Sequence, residues 1–301
     1  MILAKSESTY GADPTPTTSS DAIQAFDVQL TPEIDSLERR DVGPSISRLS
    51  ELGGKQRATV TFTTELKGSG VAGTAPDDDP LWQACGMAVT NVGGTSDTYD
   101  FLSASFVGCT IYVYQDGLQK QLHGCVGNYE IDMTAGETPK VKWEFKGLYE
   151  TPTDVSFPTS YTVSSAIAKV CKNLTVSFDS YAAVIDNLNL KSNNTIAERS
   201  DLNAATGIAG YQITDRNPEG SFTPEAVLLA TQNWYTKFEA DTANVLSAAL
   251  SNGAGNITTI TASQCRIRNI NFGERDGVLT NEIPFQMARS GTDDELSIVF
   301  T

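Results

Sequence analysis

Histidine is almost absent from this chain of 301 residues, in which His123 is the only one. A Ser-His-Asp or Cys-His catalytic arrangement would have to use that single imidazole, so we do not expect an enzyme. The five cysteines are scattered and include no Cys-x-x-Cys pair, which argues against a disulfide framework and a structural zinc site. We expect free thiols in a reducing cytoplasm instead.

Long apolar segments are also missing from the sequence. A membrane-spanning helix needs a run of about 18 apolar residues, and the chain has none. Residues 1–20 lack the apolar centre of a signal peptide. The sequence therefore predicts neither membrane association nor secretion.

Basic residues are scarce, since 21 Lys and Arg against 37 Asp and Glu give a formal net charge of −16. A protein that binds nucleic acid tightly by neutralising phosphates needs the opposite sign. An acidic surface instead suits a protein along which DNA moves without adhering, because like charges repel. An ordinary acidic bacterial protein would carry the same charge.

Two acidic clusters, Asp77–Asp79 and Asp293–Glu295, are the remaining candidates for a metal site because carboxylates bind divalent cations. Neither has the spacing of a calcium loop. The first precedes a short helix predicted over Pro80–Gly86, and acidic residues favour a helix N-terminus. The second precedes the final strand. We predict no metal site and no cofactor.

The pattern of β-strands is what the sequence has in abundance. Apolar and polar residues alternate in several short segments, separated by turn residues such as Asp116-Gly117 and Gly136-Glu137. Phe26–Leu30 and Ala58–Thr63 predict the two strands of an extended hairpin, joined by a long polar segment. The fold class expected from these patterns is mainly β.

Composition divides the chain into four segments. Residues 1–20 are rich in Ser, Thr, Pro and Gly and predict an extended arm outside the core. Residues 21–150 and 166–301 predict two β-rich domains. Residues 151–165 contain two prolines and predict a linker between them.

Similar landmarks recur in the same order in both halves, which predicts an internal duplication. Their members are Glu38-Arg39-Arg40-Asp41 with Glu198-Arg199-Ser200-Asp201, Lys67-Gly68-Ser69 with Glu219-Gly220-Ser221, Leu81–Ala84 with Leu228–Thr231, Cys125 with Cys265, and Gly136-Glu137 with Gly273-Glu274. Two unrelated β domains with similar turns would give a comparable series.

Residues 37–57 form the only locally basic segment of an otherwise acidic chain. This segment and its counterpart in the second half predict a charge-complementary contact between copies of the chain. A solvated loop is the alternative interpretation. The predicted contact residues are Arg39, Arg40, Asp41, Arg48, Lys55, Arg57, Glu198, Arg199 and Asp201.

A series of motifs runs through the chain in a fixed order. They are Ile34-Asp35, Glu38–Asp41, Gly53-Gly54-Lys55, Lys67–Gly70, Pro80–Gly86, Ile111–Gly117, Gly124-Cys125, Lys142–Phe145, Gly147–Tyr149, Ile283–Gln286 and Asp293–Phe300. In the order of these motifs, the chain resembles the major tail tube proteins of bacteriophages with long non-contractile tails (siphophages). The resemblance covers nearly the whole chain after residue 20.

This resemblance implies a β-sandwich or half-barrel with short flanking helices, in two tandem copies. It implies rings that close by sheet pairing between subunits and stack into a hollow tube through which DNA passes. Since relatives with one domain form hexamers, two domains per chain predict a homotrimeric ring with pseudo-sixfold symmetry. The expected partners are further copies, the tape measure protein, and the tail terminator and distal tail proteins. The expected location is the virion tail, assembled in the bacterial host cytoplasm.

Two other functions fit parts of the sequence. A distal tail, baseplate or tail terminator protein of related fold would cap a tube without repeating along it. A carbohydrate-binding β-sandwich would present exposed aromatic platforms, whereas Trp82, Trp143 and Trp234 lie in apolar or alternating contexts that favour packing.

Overall fold

The computed structural model describes residues 1–301, and its first half contains one helix and ten strands. They are β1 (Ile2–Ser6), β2 (Ala22–Ile23), β3 (Phe26–Leu37), β4 (Leu52–Glu65), α1 (Asp79–Ala84), β5 (Met87–Val92), β6 (Ser96–Phe101), β7 (Cys109–Gln115), β8 (Leu118–Thr134), β9 (Lys140–Tyr149) and β10 (Thr153–Asp154). The predicted hairpins and the first helix are confirmed, and so is the mainly β fold class.

The second half follows an irregular segment between Asp154 and Thr175. Its elements are β11 (Thr175–Phe178), β12 (Ile185–Lys191), β13 (Asn194–Ser200), β14 (Ile208–Arg216), β15 (Glu219–Pro224), α2 (Trp234–Glu239), β16 (Asn244–Ser251), β17 (Ile257–Ile267), β18 (Asn271–Arg275), β19 (Val278–Met287) and β20 (Ser297–Phe300). Neither helix is long enough or apolar enough to cross a membrane.

Local sequence explains the strands and the helix that build the core. Val141, Trp143 and Phe145 of β9 are buried while the lysines and glutamate between them face outward, as alternation in a half-buried strand requires. Helix α1 begins with Pro80 in its first turn, where the missing N–H has no helical partner. Trp82 of this helix is fully buried and makes an edge contact with Trp143, with ring centroids 4.7 Å apart.

Both halves contain an antiparallel ladder of six strands in equivalent order. In the first half the neighbours run β1–β7–β8–β9–β4–β3. In the second half they run β11–β16–β17–β19–β15–β12. The helices also have equivalent places in the chain. Helix α1 follows β4, and helix α2 follows β15, the strand in the same place of the second ladder.

An irregularity in strand pairing is repeated in the two ladders. Cys125 of β8 and Cys265 of β17 each lie beside a bulge, where two residues of their own strand face one of the preceding strand. Both thiols donate to the carbonyl three residues earlier, at 3.6 Å to Leu122 and 3.7 Å to Ala262. The likeness therefore extends from strand order to local geometry.

Two additional ladders join the halves into one continuous structure. Strand β12 of the second half pairs with β8 of the first, and the C-terminal strand β20 lies between β6 and β17. A single hydrophobic core of 44 buried residues extends through both halves. The two halves are therefore packed against each other through a shared core and shared strand pairs.

The predicted N-terminal arm over residues 1–20 is wrong for its first part. Strand β1 pairs with β7 along its whole length, and Ile2, Leu3 and Ala4 are buried. This short apolar run completes the edge of the first ladder. The Ser, Thr and Pro content that suggested an arm belongs to the residues after it, and even there the Tyr10 hydroxyl donates to the Gly124 carbonyl at 2.8 Å.

Three of the predicted landmark pairs are also wrong. Leu228–Thr231 lies in a turn, and the second helix begins six residues later at Trp234, where the Asn233 side chain accepts from the Thr236 amide at 3.0 Å. Gly273-Glu274 lies within β18, since the turn falls at Asp276-Gly277. Glu219–Ser221 begins a strand, whereas Lys67–Ser69 follows one.

Candidate subunit interface

The ladder between β12 and β8 is the main contact between the two halves. Leu190 lies opposite Ile131 and Leu188 opposite Met133, and all four side chains are buried. Cross-strand apolar pairs of this kind are the unit by which a sheet is stabilised. Strand β12, at the edge of the second ladder, is thus covered by β8 of the first half.

Polar side chains fix the register of this ladder. The Asn187 amide donates to Asp132 at 2.8 Å and to Thr134 at 2.9 Å, and Asn189 donates to Glu130 at 2.7 Å. A slip by one residue would turn each of these side chains to the other face of the sheet.

Several other strands, β3 and β18 among them, have one side without a partner. Strand β3 pairs only with β4, and β18 pairs only with β19. Phe272 of β18 is 70% exposed, and Ile34 and Leu37 of β3 are 57% and 54% exposed. Such edges can pair with another chain, and proteins that remain monomeric usually protect them.

The β13–β14 hairpin of the second half packs against the first half. Tyr211 and Ile213 are buried against Val126 of β8. The Asn194 amide donates to the carbonyls of Cys85 and Gly127, at 2.8 Å and 3.0 Å. These contacts place the hairpin across the face of the first ladder.

Four of the predicted contact residues lie in the exposed loop between β3 and β4. Arg39, Arg40, Asp41 and Arg48 fall between β3 and β4 and are exposed to solvent. Glu38 lies 2.6 Å from Arg40 and 3.6 Å from Arg48, so two of the three arginines have an ionic partner within the loop. Their contact with another copy stays a prediction.

Another part of the predicted set meets within the chain. The Glu198 carboxylate lies 2.6 Å from the Lys55 Nζ and 3.2 Å from the Arg57 guanidinium, which also contacts Asp35. These ion pairs link the two hairpins. Arg199 is exposed on the same strand as Glu198.

Asp201 has a local role in the turn after β13. Its carboxylate accepts a hydrogen bond from the Asn203 backbone amide at 2.9 Å. An aspartate that binds an amide two residues later stabilises a tight turn.

Arg216 links the two halves of the chain, a contact that sequence reasoning missed. Its guanidinium donates to the Leu102 carbonyl at 3.0 Å, lies 2.8 Å from Asp293 and 3.3 Å from Glu295, and stacks over the Phe101 ring at 4.4 Å. The acidic cluster at residues 293–295 therefore contacts a cation of this chain. Nothing in the local sequence distinguishes Arg216 from other strand arginines.

His123 and the cysteines occupy packed surroundings. His123 Nδ1 lies 3.2 Å from the Thr110 hydroxyl, which donates to the buried Glu7 carboxylate at 2.7 Å. Burial raises the pKa of the neighbouring Cys125 thiol well above its ordinary value, so this thiol is not a ready nucleophile.

The model of the family described as phage tail tube protein matches residues 2–287. The chain belongs to the phage tail tube protein family. A comparison with curated proteins finds no matching relative.

Membership of this family establishes the general role of the chain. The tail tube proteins are structural proteins that assemble with themselves into a tube in the phage tail. The unpartnered strands of this tail tube protein are therefore the places to seek contacts between subunits.

Proposed function

We propose that the chain is the repeating subunit of a hollow tail tube and that its halves are two copies of one tube domain. The shared six-strand order and the shared bulge beside Cys125 and Cys265 support the duplication. The proposed domains are residues 21–150 and 166–301, with a linker at 151–165. Strand β1, although outside these bounds, packs with the first domain.

We propose further that three chains form each ring, with six domains in pseudo-sixfold order. The β12–β8 ladder is the observation that carries this proposal, since it joins one domain to the next through an edge strand. A head-to-tail contact of the same type, repeated between chains, closes into a ring when its rotation permits. Two domains per chain then need three chains instead of six.

Stacked rings would enclose a channel for DNA. The net charge of −16 suits such a channel, because a wall of like charge does not hold the polyanion. We propose that the exposed loop with Arg39, Arg40 and Arg48 contacts an acidic surface of the adjacent ring. The proposed partners at the two ends are the tape measure, tail terminator and distal tail proteins, with assembly in the host cytoplasm.

Electron microscopy of the purified chain tests this proposal. We expect hollow tubes whose averaged end-on views contain six lobes from three subunits, alternating slightly in shape. Rings of six chains would overturn the trimer. A single capping ring that never stacks would instead assign the chain to a tail terminator or distal tail role.

A further inference from the structure

Strands β12 and β3 occupy the same place in their ladders but differ in their partners. Strand β12 lies between β15 and β8, whereas β3 pairs with β4 alone. Leu190 of β12 is fully buried, while Leu30 of β3 is only partly buried against the core. The free side of β3 thus lacks the neighbour that β12 has.

Pairing registers identify which residues are equivalent. Leu30 lies opposite Val60, which lies opposite Phe145, and Leu190 lies opposite Gly220, which lies opposite Phe285. Leu30 therefore holds in the first ladder the position that Leu190 holds in the second.

Pairing registers also identify the second-half counterpart of β8, the strand with which β12 pairs. Ile131 lies opposite Val141, two residues before Trp143, and Phe272 lies opposite Asn281, two residues before Ile283. Trp143 and Ile283 in turn lie opposite Phe62 and Phe222. Phe272 of β18 therefore takes the place of Ile131, but its outer side has no partner strand and its side chain is 70% exposed.

We propose that β3 of one copy pairs antiparallel with β18 of the next, with Leu30 opposite Phe272. This pairing rests on the proposed assembly and names its joint and register. It repeats between chains the ladder that places Leu190 opposite Ile131 within the chain. Two apolar side chains that are exposed or half-exposed in the single chain then cover each other.

The joint between chains is weaker than the one within the chain. Val28 would face Glu274, whereas Leu188 faces Met133 in the internal ladder. The second half also lacks a hairpin like β5–β6, so the ladder between β6 and β20 has no equivalent between chains. A weaker joint allows folded subunits to remain separate until the tail assembles.

A cross-link designed from the register tests the pairing. The Ser192 amide donates to the Tyr129 carbonyl at 3.1 Å, which makes that pair hydrogen-bonded and the adjacent Lys191–Glu130 pair non-hydrogen-bonded. The intermolecular equivalent of Lys191–Glu130 is Thr31 with Asn271, both exposed in the single chain. Cα atoms in such pairs are about 4.5 Å apart, within the range of a disulfide.

The test uses the Thr31→Cys, Asn271→Cys variant, oxidised after tube assembly and run on a non-reducing gel. We expect loss of most of the monomer band into dimer and trimer. The variant Gln29→Cys, Gly273→Cys should cross-link too, since it occupies the next non-hydrogen-bonded pair. All five native cysteines are buried, which keeps the background low.

The matched control is Glu33→Cys, Asn271→Cys, which shifts one partner by two residues along the same strand. Its Cα atoms would lie roughly 8 Å apart, beyond reach of a disulfide. Tubes that cross-link no better in the designed variants than in this control would overturn the pairing and leave the proposed function intact. Failure of the unmodified chain to form tubes would overturn the proposed function and, with it, this joint.

Discussion

The two long hairpins of the chain share a position and a register but differ in their surroundings. The pairs Leu30–Val60 and Leu190–Gly220 enclose equal numbers of residues. Ile34 lies opposite Gln56 and Asn194 opposite Arg216, and the next residues form a bulge in both hairpins. The second hairpin nevertheless packs against the first half, while the first extends into solvent.

Side chains explain this difference. The second hairpin has Tyr211 and Ile213 at its buried positions, where the register places Glu51 and Gly53 in the first. Glu51 cannot cover an apolar surface without a cost in desolvation, and Gly53 has no side chain with which to cover it. The second hairpin thus makes an apolar contact within the chain, whereas the corresponding positions of the first hairpin carry no apolar side chain.

Removing the exposed loop should have the largest effect. We expect replacement of residues 38–51 by Asn-Gly to abolish stacking into tubes, because the loop carries the proposed inter-ring charges. The folded chain should keep its thermal midpoint, since those residues are exposed and outside the core. Electron microscopy and differential scanning calorimetry measure the two outcomes.

The matched control for the loop keeps its length and removes its three arginines. In the triple variant Arg39→Ser, Arg40→Ser, Arg48→Ser we expect shorter tubes that respond less to salt. Tubes of normal length from the loop deletion would show that stacking depends on another surface.

The two helices allow a comparison of the cores. Trp82 contacts Tyr129 and Trp143 with ring centroids 4.9 Å and 4.7 Å away, whereas Trp234 lies 5.5 Å from Phe222. We expect Trp82→Ala and Trp234→Ala each to lower the free energy of unfolding by about 3–5 kcal/mol. The loss should be greater for Trp82, because closer aromatic pairs are broken.

Urea unfolding followed by far-ultraviolet circular dichroism, with unassembled chains, measures both tryptophan variants. A greater loss for Trp234→Ala would contradict the view that the first half has the tighter core.

The helix N-termini differ in charge, and this predicts a pH dependence confined to the first half. Burial raises the pKa of Asp78 to about 7. Because the folded state then holds its proton to a higher pH than the unfolded state does, stability falls from about pH 4 to pH 7. Asp78→Asn should reduce this fall, of which a part remains because burial also raises the pKa of Asp79. It should stabilise the chain at pH 8 by up to about 4 kcal/mol.

The control lies at the start of α2. Asn233 already caps that helix with a neutral side chain, and it is less buried than Asp78. Asn233→Asp should add no fall in stability between pH 4 and 7. An unchanged pH profile in Asp78→Asn would show that other groups cause the dependence.

Local patterns made much of the fold predictable from the sequence. The turn at Asp116-Gly117 adopts the positive φ values of 46° and 83° that its residues favour, and β7 and β8 flank it as expected. The sequence does not predict β1, because its apolar run is short and precedes a polar stretch. It predicts the second helix too early, because the apolar run Ala226–Ala230 is a stronger local signal than the cap at Asn233.

The contacts between the two halves of the chain are harder to predict from the sequence. Lys55, Arg57 and Glu198 are predicted from their charges to contact another copy, and that contact stays a prediction. Their partners within the chain depend on how the hairpins fold back, which no local pattern shows. The pairing of β12 with β8 joins residues more than 50 positions apart, so no local pattern specifies it.

The ion pairs between the hairpins should give the smallest effect. Lys55, Arg57 and Glu198 keep 37%, 29% and 22% of their side-chain surface exposed. Solvent screens such pairs, so we expect Glu198→Gln to reduce the free energy of unfolding by less than about 1 kcal/mol. Arg57 retains Asp35 in this variant, which limits the loss further.

A double-mutant cycle with Lys55→Met isolates the Lys55–Glu198 coupling by urea unfolding. The same variants also separate the two roles of these charges. If Glu198→Gln leaves tubes unchanged, its partners lie within the chain, as the 2.6 Å contact with Lys55 indicates. If tubes shorten while the free energy of unfolding stays the same, Glu198 also contacts a second copy, and the hairpin that packs within the chain contributes to the outer surface as well.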